Sequence, residues 1–272
     1  MTLAAGFKFE HPKAAGVSPV LLLSDSRYSY SLSTGEVYRD DGMKIWTLAK
    51  NVFAALAGDV LVAQRALERV KRRLAQSSSG SFDDLKSILK SSFDSTLTDG
   101  DPQQPHCILA VMASDGSSKL FYARPGATRY EVMERKKVVI GLESLKPILE
   151  EKINQPGRHG GFWHPNHFMM THPGRVFRND DDRRQQALKD AREISSHIAM
   201  QFLEVVDDPN VTGANPPLQT LLLTPRSAKQ IDLYEIASPT QIARKTARAN
   251  EVSAEADPCS GRVAELTALR QS

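Results

Sequence analysis

TLAAGFKF, Thr2–Phe9, alternates small and apolar residues with others almost from the first residue of the chain. Period-two alternation of this kind is the pattern of a half-buried β-strand. Chain termini fray unless something ties them down. A strand beginning at Thr2 is therefore an element that the rest of the fold must hold, and it carries a threonine at its head.

The chain that follows supplies partners for such a strand. HPKAAGVSP (His11–Pro19) is rich in turn residues, and VLLLSDSRYSYS (Val20–Ser31) reads as a second strand whose apolar first half implies burial on both faces. STGEVYRDDG (Ser33–Gly42) reads as a loop, and Met43–Gly58 as two short strands about a turn at Lys50-Asn51. The period then changes. Val60, Ala63, Leu67, Val70 and Leu74 recur at three- and four-residue steps, which predicts an amphipathic helix over Asp59–Gln76 with Asp59 near its N-cap. A second helix is expected at Phe82–Leu97, and strands at Cys107–Ser114, Lys119–Arg124 and Lys136–Gly141. A short helix at Glu143–Ile153 leads into a loop, and a long helix spans Arg183–Val206 behind the acidic run Asn179–Asp182, whose charges suit a helix N-terminus. Strands at Leu218–Thr224 and Gln230–Ala237 close the domain.

Runs of strands separated by pairs of helices are not the strict alternation of a doubly wound sheet. They suit an α+β fold in which two stacked antiparallel sheets carry helices on both outer faces, a four-layer αββα sandwich. The expected domain is 2–238, with 239–272 a peripheral C-terminal extension that has room for a short helix. At 272 residues, 40% hydrophobic and 25% charged, the chain has the composition of an ordinary globular protein. A net charge of +3, with Lys and Arg scattered among Asp and Glu, argues against nucleic acid as a partner. The two cysteines, Cys107 and Cys259, are too few for a disulfide framework or a cysteine zinc site and fit a reducing cytoplasm. No signal-peptide layout opens the chain, and no apolar run approaches the ~20 residues that cross a bilayer, so the expectation is a cytoplasmic protein without a membrane partner.

Four short segments, in order, resemble one family. TLAAGFKF is similar to the first strand of catalytic proteasome β-type subunits, with Thr2 where their nucleophile stands; SDSR (Ser24–Arg27) resembles the segment that ends their second strand. MKI (Met43–Ile45) resembles their lysine-bearing step, which puts Lys44 at that lysine, and LAG (Leu56–Gly58) resembles the turn into their first helix, fourteen residues on. The resemblance is to the N-terminal nucleophile (Ntn) hydrolases, in particular the bacterial HslV-like branch, and is strongest over Thr2–Leu74. It implies the Ntn-hydrolase fold and a threonine-type endopeptidase that works without a cofactor. It also implies stacked homo-oligomeric rings that enclose unfolded polypeptide, with an AAA+ unfoldase as a further partner left open. Removal of Met1 would expose the α-amine of Thr2, which can serve as base for the same residue's hydroxyl. Lys44 would favour the neutral amine, Asp25 would hold Lys44, and the N–H of Gly58 would stabilise the oxyanion. Tyr28, Trp46 and Leu56 would shape the first specificity pocket. Arg27 and Ser29 complete the substrate-binding set, with the Ser29 backbone pairing to an extended peptide.

The sequence also departs from that family. Its Gly-Ser-Gly segment is GLES here (Gly141–Ser144), with Leu142 at the serine position and Ser144 the available substitute; Asp207 or Asp208 would supply the later aspartate. RHGGFWHPNHFMMTHPGR (Arg158–Arg175) holds four of the seven histidines and matches nothing in the family. His159, His164, His167 and His172 are the candidates if a metal binds, but their spacing fits no standard zinc pattern. With five aromatic and methionine residues interleaved, the expectation is a packing or subunit-contact loop and no metal. Two other functions stay open: a non-catalytic ring or scaffold protein that binds peptides, and an Ntn amidase acting on small amides.

Overall fold

A computed structural model describes residues 2–10, 18–32, 35–39, 43–77, 81–96, 104–113, 115–154, 177–211, 214, 218–224, 230–238 and 241–248. Within these residues the protein is mixed α+β, with two main antiparallel sheets and four helices. The first sheet has the order β10-β1-β2-β11-β12-β13. Its strands are β1 (Leu3–Lys8), β2 (Val20–Ser24), β10 (Lys137–Gly141), β11 (Leu218–Leu223), β12 (Gln230–Ser238) and β13 (Gln241–Arg248). The second has β5 (Ile45–Ala49), β6 (Val52–Ala57), β7 (His106–Met112), β8 (Ser118–Pro125) and β9 (Tyr130–Glu134) in simple sequential order. A separate hairpin joins β3 (Tyr28–Leu32) to β4 (Gly35–Arg39).

Three apolar clusters show how the layers stack. Leu3, Ala5 and Phe7 of β1 pack with Leu21 and Leu23 of β2 against α3 (Leu145–Asn154) and α4 (Asp180–Val206). On the opposite face of the same strands, Ala4, Val20, Leu22 and Leu221 meet Phe53, Ala55, Ile108, Ala110 and Leu120 of the second sheet. The far face of that sheet packs Ala54, Leu109 and Phe121 against Leu67 and Val70 of α1 (Val60–Gln76) and Leu89 and Phe93 of α2 (Phe82–Asp94). Each strand of β1 and β2 is thus apolar on both faces because both faces are covered, as the leucine run of β2 implies.

The helices start where side chains can satisfy their orphan amides. Asp59 accepts from Leu61 (2.8 Å) and Val62 (3.1 Å), Ser81 accepts from Asp84, and Asn179 accepts from Asp182. The long helix begins at Asp180 rather than Arg183, so the acidic run forms its first turn. Asn51 takes a left-handed φ of 63° in the turn between β5 and β6, a conformation asparagine tolerates better than most residues.

Four expectations are corrected. Val20–Ser31 is two strands, because the chain leaves the first sheet at Asp25–Arg27. The segment read as a loop at 33–42 contains β4, whose polar residues pair with β3 in the hairpin. β9 has no counterpart in the sequence reading; its charges pair across the edge, Glu131 with Arg124 and Glu134 with Lys119, and hide a strand anchored by buried Tyr130. The first sheet also continues past residue 238, since β13 pairs along most of β12. Among the described residues no helix is long and apolar enough to cross a membrane.

Candidate active site

The alternation along β1 decides where Thr2 points. Leu3, Ala5 and Phe7 face the helices, so Thr2 and Ala4 face the second sheet. Thr2, Lys44, Trp46, Leu56, Ala57, Gly58 and Val60 line one recess at the head of β1, the start of β5 and the end of β6. Five of these were singled out in the sequence, and the lining residues come from the heads of β1 and β5, the end of β6 and the entry to α1. The apolar side of the recess is built from Trp46, Leu56 and Val60; the polar side from Thr2 and Lys44. Thr2 is 4% exposed.

Asp25 is the link between the threonine strand and the lysine. Its backbone N–H donates to the Leu3 carbonyl (3.1 Å), and its Oδ1 accepts the Leu3 N–H (2.9 Å). The same carboxylate accepts from Lys44 Nζ at 3.0 Å on Oδ1 and 3.1 Å on Oδ2, and its Oδ2 takes the Arg27 N–H at 3.0 Å. Lys44 Nζ donates as well to the Arg27 carbonyl. A charge pair with both partners almost wholly buried is stable only when its remaining donors and acceptors are satisfied, and here they are. Complete burial pushes the Asp25 carboxyl up from the ordinary carboxylate range, while the Lys44 ammonium and the Leu3 and Arg27 amides pull it back.

Two glycines are required by geometry. Gly141 at the end of β10 has φ +110°, and a Cβ built there would lie 1.7 Å from the Thr2 carbonyl oxygen. That carbonyl accepts the Leu142 N–H (2.9 Å), so β10 is stitched to Thr2 itself through a position only glycine can occupy. Gly58 has φ +101° between the end of β6 and the Asp59 cap. A side chain at that φ would be strained beside the recess.

No protein-family model matches this chain, and no curated protein matches it. The site therefore stands on its own geometry.

Other predicted residues sit elsewhere. Ser144 is exposed in the turn before α3, and Asp207 and Asp208 are exposed at the end of α4; none of the three lines the recess. Leu142 packs against the helix-side core. Arg27 follows Asp25 and serves the ion pair through its backbone. Tyr28 and Ser29 lie on β3, which has β4 as its one strand neighbour among the described residues. The histidines His159, His164, His167 and His172 fall outside the described residues. Among the described residues no group of three His, Cys, Asp or Glu side chains is placed to hold a metal.

Sequence reading overlooked Gln219. From β11 its Oε1 accepts the backbone N–H groups of both Lys44 (2.8 Å) and Ile45 (3.2 Å). The signal was present in LQTLLLT: positions 219, 221 and 223 share one face, and two of them are leucines facing the other sheet. An amide in such a row needs a partner.

Proposed function

We propose that the chain is a threonine-type peptidase of the proteasome-like Ntn-hydrolase kind, with Thr2 as nucleophile. One observation carries the reading: a threonine heading a strand shares a recess with a buried lysine, and one aspartate bonds both that lysine and the amide next to the threonine. In the proposed reaction, cleavage of the chain before Thr2 frees its α-amine. The amine takes the hydroxyl proton as Oγ1 attacks the scissile carbonyl. The oxyanion is stabilised by the Gly58 N–H. The protonated amine then gives its proton to the leaving amine, and the C–N bond breaks to leave an ester on Thr2 Oγ1. Water, deprotonated by the same amine, hydrolyses the ester and restores the hydroxyl. The Lys44 ammonium beside the amine disfavours its protonated form, and Asp25 keeps that ammonium in place.

Trp46, Leu56 and Val60 favour an apolar side chain before the scissile bond. β3 has β4 as its one strand neighbour among the described residues, and its other edge at Ser29 suits an extended peptide adding as a strand. The corresponding assembly is a homo-oligomeric ring that encloses the recesses, fed with unfolded chains. Hydrolysis of N-acylated fluorogenic peptides carrying an apolar residue before the reporter tests the activity. Wild-type protein should cleave them and Thr2→Ala should not; equal rates for both would overturn the reading. The position of Leu142 favours one rival, a non-catalytic scaffold of the same fold. A scaffold would bind peptide undiminished in Thr2→Ala and cleave none in either form.

A further inference from the structure

Among the described residues β5 is an edge strand of its sheet, with β6 as its strand neighbour. Gln219 meets the start of β5 from across the gap between the sheets, accepting from two successive amides with one oxygen. β11 is registered so that Gln219 lies opposite Ser24, the residue before Asp25. Lys44 is therefore tied at both ends to one place on the first sheet: its ammonium to Asp25, its backbone to Gln219. Ser24 Oγ donates in turn to the Asp25 carbonyl at 3.1 Å.

We propose that Gln219 is a positioning residue for Lys44: by clamping the Lys44 and Ile45 amides to β11, it sets how far the Lys44 ammonium reaches toward Thr2. The consequence for chemistry rests on the peptidase reading above; the clamp itself does not. A lysine held by its head alone can still rotate about four side-chain bonds. Fixing its backbone as well leaves a single approach to the threonine, and misplacement by about 1 Å is costly at a reacting centre. Charged groups near Thr2 on the described elements are Asp25 and Lys44, with Asp59 and Glu143 at the ends of the elements alongside. Of these Lys44 alone lines the recess.

The test reads the Thr2 α-amine directly. In processed protein, competitive acylation with acetic anhydride across pH, followed by mass analysis of the N-terminal peptide, titrates that amine without any turnover. Gln219→Met keeps the length of the side chain and removes the acceptor; Gln219→Asn keeps the amide and shortens its reach. Leu188→Ala, in a small separate apolar cluster on α4, serves as a destabilised control. With the cation free to withdraw, the amine should titrate about half a unit or more higher in Gln219→Met than in wild type. Leu188→Ala should leave it unmoved at a comparable loss of Tm. If Gln219→Met does not fold, the same rise is expected in Gln219→Asn. An amine titrating as in wild type in the folded variant overturns the inference, whatever the Tm. Peptide hydrolysis measured alongside separates the two ideas: a shifted amine without wild-type turnover sinks the peptidase reading alone, and turnover with an unshifted amine sinks the role of Gln219 alone.

Discussion

Replacing Lys44 with methionine should unbalance the most deeply buried charge among the described residues. Asp25 is 0% exposed and Lys44 2%, and the ammonium donates to both carboxylate oxygens. Removing one partner of such a pair costs about 3–5 kcal/mol when the other must stay charged. The Leu3 and Arg27 amides remain, so the carboxylate keeps two donors and the lower part of that range applies. Asp25 has a second way out, which is to take up a proton. Burial already raises its carboxyl in the wild type, and loss of the ammonium raises it further. With the folded-state pKa above the unfolded value near 3.9, the folded protein binds the extra proton, and stability falls as pH rises through that interval. One such group changes stability by about 1.4 kcal/mol per pH unit. The deficit of Lys44→Met should thus grow by up to about 2.7 kcal/mol between pH 5 and pH 7. At pH 7 a loss of about 3 kcal/mol corresponds to roughly 6–12 °C in Tm for a chain of this size. Urea unfolding at pH 5, 6 and 7 reads the trend. Asp25→Asn combined with Lys44→Met should recover much of the loss and remove its pH dependence. A deficit below about 1 kcal/mol that is flat with pH would refute the reasoning, because the carboxylate would then not depend on Lys44.

Other outcomes follow from single positions. Gly141→Ala should cost at least ~2 kcal/mol and disturb the start of β1, since its Cβ would overlap the Thr2 carbonyl; thermal unfolding and peptide hydrolysis should fall together. His106 lies half-buried with Nδ1 2.8 Å from the Tyr122 hydroxyl, and burial lowers its pKa. Its folded pKa being below the unfolded value near 6.5, stability should decline as pH falls from about 6.5 toward that lower value; His106→Gln should lose this acid sensitivity in denaturant unfolding. Burial pushes the Cys107 thiol far up, so iodoacetamide should leave Cys107 unmodified at pH 8 until denaturant unfolds the protein, as peptide mapping would show.

Much of the fold was legible because burial writes itself as periodicity. β1, the leucines of β2 and the Val60–Leu74 stripe could be read directly, and the capping residue Asp59 marks where α1 starts. The elements that were hidden lack that contrast. β4 and β9 are short, each has one strand neighbour among the described residues, and neither sequence holds a run of apolar residues. At the site, Asp25, Lys44, Trp46, Leu56 and Gly58 were legible as residue types in order. Their convergence depends on register, which sequence spacing does not encode. The backbone roles of Arg27 and Leu142 could not be read at all, because a carbonyl or amide acts independently of the side chain that names it. Gln219 lies 175 residues from Lys44, and only the folding of β11 beside β2 makes them neighbours.

The central claim is that Thr2 bears both the nucleophile and its base. Intact-mass spectrometry of the purified protein, before and after a peptide epoxyketone, tests it most directly, since that warhead closes a ring on the hydroxyl and the free amine of one N-terminal threonine. The account predicts a chain beginning at Thr2 that gains a single inhibitor mass, with no gain in Thr2→Ala. A chain that retains residues before Thr2, or one that begins at Thr2 and gains no mass, would contradict it.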